Sequence, residues 1–167
     1  MNSKMKWIVA AVAMLAVALP GFSATTGTLV LQGTVPGILE ISVSALPAAS
    51  SLALETTQTN LAVANVTERS NRKAGYTVSL QSANAGSGSS FFFKSADVAN
   101  TDTLDYTLTY DGSPVSLVAG TALITDASAR TPSAGVVKSL AISYAGAASY
   151  LNEDAYADTL TFTITAK

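Results

Sequence analysis

Leu104, Tyr106, Leu108 and Tyr110 fall on alternate positions, with Asp105, Thr107 and Thr109 between them, and the run closes on Asp111-Gly112. Side chains repeat every two residues only in a strand, so this stretch has one face meant for burial and one for water. Asp-Gly followed by a second apolar stretch, Val115–Val118, is a hairpin signal. The same alternation returns in Tyr76/Val78/Leu80, in Leu140/Ile142/Tyr144 and in Leu160/Phe162/Ile164. About nine or ten such short strands, separated by turn residues, predict an antiparallel β-sandwich of the immunoglobulin-like kind. No strand–helix alternation and no fixed repeat competes with that reading.

The remaining segments are read the same way. Thr28–Val35 is a strand with Leu29, Leu31, Gly33 and Val35 on one face, and Pro36-Gly37 separates it from the next strand, Ile38–Ser44. A glycine within a strand often marks the close approach of another backbone. Ser51–Glu55 reads as a short strand, and Leu61–Thr67 as one whose parity breaks at a bulge. Glu68–Gly75 is polar and reads as a loop. So do Ser82–Ser90, Asp126–Gly135 and the connection Ala145–Tyr156. Phe91-Phe92-Phe93 cannot all face one side of a strand. They fit a strand covered on both faces or lying at a sheet rim, with a partner contact as the alternative.

Residues 1–24 read as a secretory signal peptide, helical before cleavage: Lys4 and Lys6, an apolar Trp7–Leu19, then Pro20-Gly21 and the small pair Ser23-Ala24. Three regions follow: 1–24 signal, 25–36 N-terminal strand, 37–167 sandwich domain. Beyond the signal, seven Lys and Arg face eleven Asp and Glu. That acidic balance does not suggest nucleic acid, and no second long apolar run offers a transmembrane span. There is no Cys and no His. An exported domain of this size can bury a sizeable core without disulfides.

The missing His and Cys also remove the commonest general base, thiol nucleophile and soft metal ligands. Two carboxylate pairs remain, Asp102 with Asp105 and Glu153 with Asp154. A glycosidase needs its two carboxylates held across a cleft; these lie in turn-like stretches, where Asp caps the local backbone. The basic cluster Arg69, Arg72 and Lys73 reads as a solvated loop before it reads as an anionic partner site. No enzyme, cofactor or metal is expected.

The pattern of Leu29, Leu31, Gly33 and Val35 resembles the N-terminal donor strand of chaperone–usher pilus subunits. The last strand, with Tyr156, Asp158, Leu160, Phe162 and Ile164, is similar to the C-terminal strand of that family. The lack of Cys points to its disulfide-free branches, the class 5 colonisation-factor pilins or the capsule-forming subunits. The resemblance implies a structural subunit of a surface pilus (fimbrium) that polymerises by donor-strand complementation and serves adhesion. It implies export through the periplasm to the cell surface. It also implies partners: neighbouring copies or other pilins, a periplasmic chaperone and an outer-membrane usher. Leu160, Phe162 and Ile164 would border the groove that receives the chaperone or the donor strand. The alternative is a self-contained secreted sandwich that binds a carbohydrate or another surface ligand, with Thr28–Val35 paired inside its own domain.

Overall fold

The computed structural model describes residues 25–146 and 149–167. The signal-peptide reading of residues 1–24 lies outside them. The chain divides into two units, one ending at Thr34 and one spanning Val35–Lys167.

The second unit is the expected all-β antiparallel sandwich. Its strands are β1 (Leu39–Ala45), β2 (Thr57–Ser70), β3 (Tyr76–Ser82), β4 (Phe91–Ser95) and β5 (Thr103–Tyr110). They continue with β6 (Ser113–Val115), β7 (Thr121–Ala127), β8 (Val136–Ala145), β9 (Tyr156–Ala157) and β10 (Leu160–Ala166). One sheet has the order β1-β2-β8-β5-β4-β9, with β6 on the hairpin end of β5; the other has the order β10-β3-β7. Every pairing is antiparallel.

Alternation sets the core. Leu104, Tyr106, Leu108 and Tyr110 are all buried, and Val66, Val78 and Leu80 are sealed completely. Phe91 and Phe93 point inward and pack on the Tyr106 ring at 5.3 and 4.6 Å between centroids, while Phe92, on the other parity, is half exposed. Offset aromatic contacts of this kind add to the gain from burial alone. Asp111 and Gly112 both take positive φ, 51° and 78°, so the two-residue turn matches the right-handed twist of β5 and β6. The parity break in β2 is a register shift between Ala62 and Ala64, and a second shift follows Gln58.

Three readings need correction. Ser51–Glu55 is not a strand: Pro47 opens a 3-10 turn over Pro47–Ser50, and irregular chain follows. Proline is preorganised for the first helical position. Leu52 and Leu54 still pack against the core without joining a ladder. Thr28–Val35 has no regular secondary structure in the single chain, and Leu29, Val30, Leu31 and Val35 are exposed.

Thirdly, Glu68–Ser70 complete β2 instead of opening a loop, and the Glu68 side chain is fully buried. Its carboxylate accepts hydrogen bonds from the Tyr76 hydroxyl (2.9 Å), the Tyr110 hydroxyl (2.6 Å) and the Thr125 hydroxyl (2.7 Å). The Lys138 ammonium lies 3.5 Å away and donates to Thr125 at 2.8 Å. The residues come from β2, β5 and β8 of one sheet and from β3 and β7 of the other, so one carboxylate ties the two sheets together. A charge is tolerated in an interior only when it is paired and hydrogen-bonded in this way.

The network makes stability pH-dependent at the alkaline end. Burial, then the hydrogen bond to Glu68, pushes the Tyr76 phenol from 10.0 up to about 12. Burial and Glu68 move Tyr110 in the same direction. An unfolded chain releases these protons near 10, whereas the native state holds the Tyr76 proton to about 12. The stabilisation is therefore complete below pH 10 and is lost as pH rises towards 12. The urea unfolding midpoint should fall steadily through that window, and less steeply in Tyr76→Phe. A midpoint that stays level or rises there would contradict the linkage.

Candidate functional site

β1 and β10 are end strands of different sheets. β1 pairs only with β2, and β10 only with β3. Each therefore carries a row of N–H and C=O groups that no strand among the described residues pairs. Between the two edges lies an apolar groove of about 210 Å³. Val43 and Ala45 form one wall, Leu160 and Phe162 the other, and Val63 and Ile142 belong to its floor. Ala49 and Leu52 also line it. Val43 is 48% exposed, which is high for a valine beside a core. The two walls come from alternation on β1 and β10, which points one apolar row of each strand inward and the other row outward.

Asp158 also lines the groove. Its carboxylate accepts from the Ser82 hydroxyl (2.8 Å), the Asn84 backbone N–H (3.1 Å) and the Tyr106 hydroxyl (2.7 Å). Burial, then this hydrogen bond, raises the Tyr106 phenol above its ordinary value, so it stays a proton donor. The groove thus has an apolar length and a polar end whose acceptor is already occupied. Two unpaired strand edges beside an apolar cavity are features to which an added strand can bind.

Of the residues singled out in the sequence, Leu160 and Phe162 lie on the groove wall. Phe162 also meets Tyr110, with ring centroids 6.4 Å apart. Ile164 is half buried on the same face of β10, opposite Val78. Leu29, Leu31 and Val35 are exposed, and Gly33 has open space where a Cβ would stand. The opposing wall on β1 and the floor from β2 and β8 were not identified in the sequence. The alternation of Leu39, Ile41 and Val43 marked a strand but not which of its edges was free.

The structure brings Asp102 of one carboxylate pair beside the loop that carries Glu153 and Asp154 of the other. Asp102 accepts from the Asn152 backbone N–H at 2.8 Å. Asp154 accepts from the Ser95 hydroxyl and from Asn100 at 3.0 Å, and these bonds, with the Ala155 amide, hold its carboxyl below the ordinary range. Both tie loops together, which is backbone-capping chemistry.

No helix among the described residues is long and apolar enough to cross a membrane. No protein-family model matches the chain, and comparison with curated proteins finds no match.

Proposed function

We propose that this protein is a structural subunit of a surface pilus that polymerises by donor-strand complementation, the segment Thr28–Val35 of one copy filling the groove of the next. The observation that carries the proposal is the apolar groove between the unpaired edges of β1 and β10. The chain supplies a segment suited to it: eight residues with Leu29, Leu31 and Val35 on one face, beside a β10 of seven residues. Burying each of those three side chains contributes about 1.5–3 kcal/mol, besides the two new ladders.

In this reading the protein is no enzyme. It is exported through the periplasm, handed from a chaperone that covers the same groove to an outer-membrane usher, and displayed at the cell surface, where the filament serves adhesion. A groove of this kind also explains why a chaperone is needed: until it is filled, it exposes apolar surface and two strand edges, which invites aggregation.

Peptide complementation tests the proposal. Protein lacking residues 25–35 should bind a synthetic TLVLQGTV peptide one to one and unfold at higher temperature with it, gaining about 2.7 kcal/mol at a hundredfold excess over Kd. A peptide with Asp in place of Leu31 should not bind, because its charge would enter the groove unpaired. Equal binding of both peptides, or of neither, would refute the donor-strand reading.

A further inference from the structure

We infer that successive copies of this protein also meet through oppositely charged ends, a basic end on the donor and an acidic cleft on the acceptor. The inference rests on the donor-strand reading above and adds a second contact to it.

The charges of the domain are segregated along the strand axis. β1 begins, β2 ends and β8 begins at one end, where Leu39 faces Ser70 and Glu68 faces Val136. Arg69, Arg72, Lys73, Arg130 and Lys167 gather there. Two of them are satisfied: Arg69 pairs with Glu40 at 3.0 Å, and Lys167 with Asp126. Arg72, Lys73 and Arg130 are exposed and have no carboxylate partner among the described residues. Among the described residues, Asp111, in the β5–β6 turn, is the one exposed carboxylate towards this end without an ion-pair partner.

At the opposite end, β4 and β8 finish and β5 begins. Glu55, Asp97, Asp102, Glu153 and Asp154 stand there, with Lys94 as the lone cation among the described residues. Glu55, Glu153 and Asp154 line a cleft of about 680 Å³. Ala49 and Leu52 line both this cleft and the groove, so the acidic cleft adjoins the groove.

The N-terminal segment is rooted at the basic end. Asn71 donates from its side-chain amide to the Pro36 carbonyl (2.8 Å) and accepts from the Ile38 amide (2.7 Å). Its own backbone amide donates to the Ile38 carbonyl (3.2 Å). Pro36–Ile38 are thereby tied to the loop that carries Arg72 and Lys73. When Thr28–Val35 occupies a groove with Val35 towards the Leu160 end, two residues separate it from Ile38. The cations beside Ile38 then come over the acceptor's Glu55 and Glu153. Seating the segment the other way would bring basic end against basic end. Complementary potentials of this kind speed encounter and penalise the wrong orientation.

Charge exchange tests the contact. Lys73→Glu with Arg130→Glu, and separately Glu55→Lys with Glu153→Lys, alter exposed side chains with no hydrogen bond of their own, so both proteins should fold with unchanged far-UV circular dichroism. Each alone should polymerise at least about tenfold more slowly than the unaltered protein. Both should accept the TLVLQGTV peptide once residues 25–35 are removed. Mixed together they should copolymerise at close to the original rate, since each reversed end then meets its complement. Unchanged rates for the separate variants, or no recovery on mixing, would overturn the end-to-end contact while leaving peptide binding, and the groove, intact. Loss of peptide binding by the unaltered domain would overturn the donor-strand reading and this contact with it.

Discussion

Glu68→Ala should destabilise the domain by about 3–5 kcal/mol, a large part of the net stability of a domain this size. The substitution deletes the acceptor for three hydroxyls and leaves the mostly buried Lys138 ammonium without its carboxylate. Breaking a buried pair from one side costs more than replacing it whole, because the remaining charge stays out of water. Glu68→Gln, which keeps an amide oxygen as acceptor, should therefore cost less than Glu68→Ala. Glu68→Leu combined with Lys138→Met should recover part of the loss by removing both charges. Urea denaturation of the four proteins measures the order. A Glu68→Ala protein with the original midpoint would mean that the network, for all its bonds, adds nothing to stability.

Gly33→Trp should abolish polymerisation while leaving the monomer as stable as before. In the single chain, open space surrounds Gly33, so an added side chain meets nothing. In a filled groove the same position would lie between pocket-filling Leu31 and Val35, against close-packed walls that have no volume for an indole. The phenotype therefore separates two states of one residue. Thermal unfolding of the monomer should not move, and filaments or SDS-resistant ladders of unboiled protein should disappear. A self-contained sandwich with Thr28–Val35 paired internally predicts the reverse: a less stable monomer and no assembly effect. Polymer formation by Gly33→Trp at the original level would exclude the donor-strand assignment.

The strands themselves were legible because their signal is local. Leu104/Tyr106/Leu108/Tyr110, Tyr76/Val78/Leu80 and Leu160/Phe162/Ile164 each carry a period of two, and Asp111-Gly112 carries its own turn geometry; none of this requires knowledge of a partner. From these the sequence by itself determined an antiparallel sandwich and one apolar face for Thr28–Val35 and for β10. Two things were decided only by the tertiary structure. Glu68, in a run of charged residues, reads as loop by composition, but it ends a strand in the core because Tyr76, Tyr110, Thr125 and Lys138, 8 to 70 positions away, supply its bonds. The groove exists because β1 and β10, from opposite ends of the domain sequence, become the free edges of two facing sheets. A strand's pattern states which face is apolar, but only its neighbours determine which edge is left without hydrogen bonds, and edges are set by pairings between residues far apart in the chain.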